Sequence, residues 1–174
     1  KVQQYQQLNH LLSITPKAND LIHELQKERG RSAGFIGSKG ASAPKDALTN
    51  QRKSTDQKIG EYRDLIMGLD DPLILGRTKD IRETIETQLS ELSAYRDRVD
   101  RLELTVPQMA KYYTTTINAG ISFVDLIRHD SSDDYISKQL SAMLAITLAK
   151  EQAGIERAMG ANGFSRGVFF ARAV

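Results

Sequence analysis

Residues 21–36 read LIHELQKERGRSAGFI, and the spacing of their apolar side chains predicts a long α-helix. Leu21, Leu25 and Phe35 fall on one helical face, as a period of 3.6 residues requires. The same period recurs in the later blocks of the chain, for example over residues 81–102 and 109–127. The sequence therefore predicts an all-α protein.

The composition agrees with long helices and excludes several functional classes. The chain has 174 residues with 24 Lys plus Arg against 22 Asp plus Glu, no Cys, no Trp and 6% aromatic residues, which suits a single helical domain over 1–174. A net charge of +2, with acids and bases interspersed, lacks the basic field of a nucleic-acid-binding surface. The absence of Cys excludes a disulfide scaffold, a thiolate metal site and a Cys nucleophile.

Proline, glycine and capping residues divide the chain into helical blocks. We expect an elongated antiparallel bundle of the four-helix-bundle type with accessory helical segments. Whether the block over 77–104 is a main member of the bundle or an accessory stays open. The predicted helices cover residues 1–13, 16–39, 42–67, 77–104, 107–128 and 133–159, with a loop over 70–76 and a short helical tail.

Charged residues interrupt the apolar stripe of the first long helix. The inward positions between Leu25 and Phe35 hold Glu28, Arg29 and Ser32. Glycines beside them remove side-chain bulk, at a cost of about 1 kcal/mol for each helical glycine. This helix therefore carries a polar notch, with Gly30 beside it.

The last long helix shows a similar notch within the stretch LAKEQAGIERA, residues 148–158. Glu151 interrupts its apolar stripe, while Lys150, Gly154 and Arg157 lie along the neighbouring line at four- and three-residue steps. One interpretation is structural, because Arg and Glu at half-buried positions form ion pairs that set the register of two helices.

The other interpretation is an anion site. Two notches that face each other would bring three cations, Arg29, Lys150 and Arg157, towards the core, with Glu28 and Glu151 as supporting ion-pair partners. Such a cluster has room for one more negative charge. Arg grips planar oxyanions through its fork of donors, so a small anion is the expected ligand.

Three motifs in order along the chain resemble those of the NIT domain, the nitrate- and nitrite-sensing helical domain of bacterial receptors. They are ELQKERGRSAGF at 24–35, the QRxxTD element at 51–56 and KEQAGIERA at 150–158. The resemblance implies a non-enzymatic helical sensor of nitrate or nitrite, in which Arg29 and Arg157 are tied to the ligand response. It extends over nearly the whole chain.

Other polar residues fit the two interpretations less well. Arg52, in the QRxxTD element, could contact the ligand or pair with Asp56 four residues on. The three histidines, His10, His23 and His129, lack metal-ligand spacing, so we expect no metal and no cofactor. The candidate nitrate ligands are Arg29, Arg157, Gly30, Ser32, Lys150, Gly154 and Arg52.

We therefore expect a nitrate-binding sensor domain, excised from a longer membrane receptor of the chemotaxis type. We expect it to lie in the periplasm as a homodimer, attached to the membrane only through helices outside this chain, with no nucleic-acid partner. One alternative is a helical receptor domain for another small anion, such as a carboxylate. A second is a structural or adaptor bundle without a ligand.

Overall fold

The computed structural model describes residues 2–130 and 134–165, and these form five α-helices with no strand among them. The all-α prediction is confirmed. Each helix is long, and short turns join the first four. The helices are α1 (Val2–Gly37), α2 (Ser42–Met67), α3 (Pro72–Asp100), α4 (Val106–Asp130) and α5 (Asp134–Ser165).

Helices α1 to α4 form an antiparallel bundle, and α5 lies against it. Helix α1 packs on α2, α4 and α5, while α4 also packs on α3 and α5. Ion pairs from Arg52 to Asp100 and from Arg63 to Glu86 join α2 to α3. The block over 77–104 is thus part of a main bundle helix, which answers the question that its sequence leaves open.

The fifth helix runs parallel to α1. Thr147 donates to Asn19 Oδ1 at 2.6 Å, and the next contact along both helices joins Lys150 to His23. Both residue numbers rise together in these contacts, as they do in a parallel pair. Helix α5 therefore brings its second half alongside the polar notch of α1.

The core follows the predicted apolar stripes. Side chains at three- and four-residue steps are buried on every helix, and α1 and α4 contribute most of the largest fully buried ones. The core members on these two helices include Ile14, Leu21, Ile22, Leu25 and Phe35 on α1, and Met109, Tyr113, Ile117, Phe123, Val124 and Ile127 on α4.

The helix boundaries predicted at a proline and at a glycine are wrong, and α3 ends at Asp100, four residues before the predicted end. We expected separate helices before and after Pro16, but α1 continues through it. An internal proline costs a helix about 3 kcal/mol. Ile14 and Ala18 are both buried on the same stripe, so core packing on either side outweighs that cost, and Pro16 itself is exposed.

Near the C-terminal end of the described chain, α5 continues through Gly160 and Gly163, where we expected it to end. A helical glycine costs only about 1 kcal/mol and does not by itself stop a helix.

The start of α3 also differs from the prediction. The segment expected to be a loop over 70–76 instead contains a helix N-terminus at Pro72. The Asp71 carboxylate accepts hydrogen bonds from the backbone N–H groups of Leu73 and Ile74, at 3.0 and 3.3 Å. A capping Asp followed by proline is a helix start, so α3 begins five residues before the predicted Arg77.

Helices α1 and α4 approach closely where Gly120 faces Ile22. A Cβ atom on Gly120 would lie 2.9 Å from Ile22 Cγ1.

Of the described residues, none belongs to a helix that is long and apolar enough to cross a membrane.

We predict that Gly120→Ala destabilises the fold by about 1–3 kcal/mol, because the added methyl group overpacks the contact between α1 and α4. Gly60→Ala is the matched control, since Gly60 is exposed on α2 and has open space around it. The control should gain up to about 1 kcal/mol from helix propensity. Urea unfolding followed by circular dichroism measures both changes, and equal stabilities would contradict the prediction.

Candidate functional site

Two consecutive residues of α1 carry buried charges towards different neighbours. Glu28 is 0% exposed and Arg29 is 3% exposed. Successive side chains on a helix point about 100° apart. Glu28 therefore reaches α3 and α4, while Arg29 reaches α4 and α5.

The Arg29 guanidinium forms a bidentate ion pair with Glu151 of α5. Its Nη1 donates to Glu151 Oε1 at 2.6 Å, and its Nη2 donates to Glu151 Oε2 at 3.1 Å. Nη1 also donates to Thr114 Oγ1 of α4 at 3.0 Å, and Gln26 Nε2 donates to Glu151 Oε2 at 3.0 Å. The two predicted notches therefore do meet, through this one pair.

Gly154 provides the space in which the guanidinium lies. A Cβ atom at this position would fall 2.5 Å from Arg29 Nη2, so a side chain here would push the guanidinium out of its place. Gly30 differs, because it is exposed and a Cβ atom there would have open space for 4 Å around it. Of the two predicted glycines, only Gly154 makes room for Arg29.

The Glu28 carboxylate is held by a second bidentate pair, with Arg96 of α3. Arg96 Nε and Nη2 donate to its two oxygens at 3.0 and 2.6 Å, and the Tyr113 hydroxyl of α4 also donates to it. Arg96 Nη1 donates to Asp56 of α2 at 2.7 Å. Residues from four helices thus meet in one cluster.

Burial and neighbouring charges shift the pKa values of Tyr113 and Arg96 in this cluster. Burial, and then the neighbouring Glu28 carboxylate, raise the pKa of Tyr113 well above its usual value, so the phenol stays protonated and can donate. Burial opposes the charge of Arg96, but its hydrogen bonds to Glu28 raise the pKa of Arg96 above its ordinary value. Arg96 therefore stays charged over the whole physiological range.

Ser32 lies one turn beyond Glu28 on α1 and is fully buried. Its hydroxyl is near the Tyr113 hydroxyl, yet it makes no hydrogen bond of normal geometry in the part of the chain that the structure describes. Buried hydroxyls are nearly always hydrogen-bonded. Ser32, a predicted ligand residue, therefore lies beside the Tyr113 hydroxyl of the Glu28 cluster.

Like Gly30, three predicted ligand residues with charged side chains lie outside the cluster of Arg29, Glu28 and their partners. Lys150 and Arg157 are both exposed on α5. Lys150 Nζ lies 3.1 Å from His23 Nε2, and burial together with that ammonium lowers the pKa of His23. Arg52 pairs with Asp100 at 2.8 Å rather than with Asp56, so the predicted pairing along α2 is wrong. Helical spacing placed Arg52 and Asp56 close together, but α3 supplies a better partner for each.

The expected excess of positive charge is also wrong for this arrangement. The buried Arg29 fork and the half-buried Arg96 fork are matched by two buried carboxylates, Glu151 and Glu28. The missed residue is Arg96, and the sequence contains a signal for it. It lies four residues after Leu92 and three before Val99, which are both buried, so it interrupts the apolar stripe of α3 as Glu28 interrupts that of α1.

Comparisons with known proteins support the resemblance seen in the motifs. A family model described as "Nitrate and nitrite sensing" matches residues 20–173. The "Nitrate regulatory protein" of Klebsiella oxytoca is 26% identical over 170 residues, which are 96% of this chain and 42% of that protein. A solved structure titled "Structure of the NasR transcription antiterminator" matches with a TM-score of 0.86 at 24% identity, over 96% of this chain and 45% of that one.

These comparisons overturn the predicted location. We expected a periplasmic domain of a membrane chemoreceptor, but the similar proteins are a nitrate regulatory protein and a transcription antiterminator. Transcription takes place inside the cell, so the periplasmic prediction is wrong, and neither protein supports a chemotaxis receptor. The chain spans less than half the length of these two proteins.

We predict that Arg96→Met destabilises the fold by about 3–5 kcal/mol, because it leaves the Glu28 carboxylate buried without its counter-ion. Arg63→Met is the matched control, since it breaks the exposed pair with Glu86 between α2 and α3. The control should cost less than about 1 kcal/mol. Chemical unfolding of the two variants measures the difference, and similar losses would show that the Glu28 pair is not structural.

Proposed function

The chain belongs to the NIT family of nitrate- and nitrite-sensing domains, and from this premise we propose that it binds nitrate at the Arg29 guanidinium. We propose a non-catalytic role, in which binding changes the helix arrangement and the change is passed to an attached output. The residues that carry this proposal are Arg29, Thr114 and Gly154.

One observation carries the proposal. The Arg29 fork is almost fully buried where α1, α4 and α5 meet, and it already holds a planar oxyanion, the Glu151 carboxylate. The guanidinium fork binds two oxygen atoms of a planar anion through two parallel hydrogen bonds. The Thr114 hydroxyl adds a polar contact at its edge, and Gly154 leaves the guanidinium unobstructed.

The chemistry of nitrate fits such a site. Nitrate is planar, carries a single charge and is weakly hydrated, so it loses less hydration energy on burial than sulfate or phosphate does. Each charge-assisted hydrogen bond contributes about 1.5–3 kcal/mol net. Two or three of them contribute about 3–9 kcal/mol before the entropic cost of binding is subtracted. Micromolar affinity corresponds to about −8 kcal/mol, so it requires bonds at the strong end of this range together with the attraction of the buried charge.

The output of the whole protein is a separate proposal. The two similar proteins are named for nitrate regulation and transcription antitermination, and each is more than twice as long as the match. We therefore propose that nitrate binding here controls transcription. A homodimer stays a prediction, and because Arg29, Thr114 and Gly154 come from one chain, we expect one nitrate for each chain.

We predict that nitrate binds the wild-type chain at micromolar concentrations and that Arg29→Lys weakens binding at least about tenfold, because Lys keeps the charge and loses the fork. Isothermal titration calorimetry measures both, with nitrite, chloride, sulfate and malate as comparison anions. Arg31→Lys is the control, since Arg31 is exposed on the same helix. Tight malate binding without nitrate binding would instead favour a carboxylate receptor, and no heat from any anion would favour an adaptor.

Arg157 needs a separate test, because the family resemblance ties it to the ligand response while its side chain is exposed. We expect Arg157→Ala to change nitrate affinity less than Arg29→Lys does, and to reduce the response of the full-length protein. Calorimetry measures the first effect and nitrate-dependent transcription the second. Loss of binding equal to that of Arg29→Lys would mean that α5 turns Arg157 into the site when nitrate binds.

A further inference from the structure

We infer that the Glu151 carboxylate is an internal ligand of Arg29, so that nitrate binds by displacing it and thereby releases the second half of α5 from α1. This inference rests on the proposed nitrate site. It assigns to Glu151 the role of setting the affinity for nitrate, and it identifies α5 as the helix that responds to binding.

The geometry makes Glu151 and nitrate competitors for the same donors. The two carboxylate oxygens occupy Nη1 and Nη2 of Arg29 at 2.6 and 3.1 Å. Nitrate would present two oxygens of a trigonal planar group with similar spacing to the same two nitrogen atoms. Because one carboxylate already takes both terminal nitrogens, the fork has one occupant at a time.

The charge balance around Arg29 also requires that nitrate replace the Glu151 carboxylate rather than bind beside it. Arg29 and Glu151 are both buried, and the half-buried fork of Arg96 is already held by Glu28 and Asp56. An anion that entered while Glu151 stayed would put two negative charges on one buried guanidinium. Replacing one carboxylate by one nitrate keeps the buried charge constant, which favours anions that carry a single charge.

Helix α5 is the element that such an exchange would release. Its buried apolar anchors, Ile136, Leu140 and Leu144, all lie in its first half. Over the rest of its described side chains, the buried residues are Thr147 and Glu151, and both bond to polar groups of α1. Over the described side chains at 145–157, α5 is thus held to α1 by polar contacts, and the Arg29 pair is the only bidentate one among them.

The other buried carboxylate lacks these properties. Glu28 is held by Arg96 from α3 and by Tyr113 from α4, both inside the four-helix bundle with apolar side chains packed around them. Displacing it would separate helices that share the main core. Glu151 is therefore the carboxylate that can leave at the smaller structural cost.

The first test compares nitrate affinity in Glu151→Gln and in Glu156→Gln, a control that removes the same charge from an exposed position on the same helix. An internal competitor that occupies the site in about 90–99% of molecules weakens apparent binding by about 10- to 100-fold. We therefore expect Glu151→Gln to bind nitrate at least about tenfold more tightly in chloride-free buffer, and the control to bind as the wild type does. Equal or weaker binding by Glu151→Gln, with a wild type that binds nitrate, would overturn the inference and leave the proposed function standing. No nitrate binding by either protein would instead overturn the proposed function.

A second variant keeps the test informative if Glu151→Gln fails to fold. Gln26→Ala removes the hydrogen bond to Glu151 Oε2 and leaves both charges of the pair in place. It should loosen the internal ligand and tighten nitrate binding by about tenfold, since one hydrogen bond to a charged group is lost. Weaker or unchanged binding in a folded Gln26→Ala protein would count against displacement.

The movement of α5 can be measured directly, because the chain contains no Cys that would compete for labels. Spin labels at Ala149→Cys on α5 and Gln57→Cys on α2, both exposed positions, report the distance between the second half of α5 and the bundle. We expect saturating nitrate to lengthen or broaden this distance, and Glu151→Gln to shift it without nitrate. An unchanged distance distribution in nitrate-saturated protein would overturn the release of α5.

Discussion

Two buried ion pairs that begin at consecutive residues of α1 determine how the other helices are placed around it. Glu28 connects α1 to α3 and α4, and Arg29 connects it to α4 and α5. Burying charges is costly unless each one is paired and further hydrogen-bonded. Both carboxylates meet this condition, since Tyr113 donates to Glu28 and Gln26 donates to Glu151. A shift of one helix along another would leave a buried charge without its partner, so these pairs constrain the register of the bundle.

The two pairs have different surroundings, and this difference bears on which of them can be exchanged for a bound anion. The Glu28 pair lies among helices that share the apolar core, and its partner Arg96 is also bonded to Asp56. The Arg29 pair joins that bundle to a fifth helix that has no buried apolar residue among its described side chains after Leu144. The same type of interaction therefore fixes the bundle on one side of α1 and forms an exchangeable contact on the other side.

The apolar stripes of the sequence predict the helices and the core well, because a period of 3.6 residues directly reports which face of a helix is buried. They also predict that Glu28, Arg29 and Glu151 point inward. The helix boundaries at Pro16 and Gly160 could not be predicted in this way. Local preferences of a few kcal/mol at most can be outweighed by packing, which depends on helices that are distant in the sequence.

The sequence by itself determined the all-α class, the inward charges on α1 and α5 and the motifs of the nitrate- and nitrite-sensing family. Only the tertiary structure decided which charge pairs with which. Helical periodicity gives the face on which a side chain lies but does not identify the helix that it faces. Glu28 and Arg96 are 68 positions apart, and Arg29 and Glu151 are 122 apart. Their pairing turns an apparent excess of positive charge into a balanced cluster, because the counter-ions come from helices that no local pattern connects.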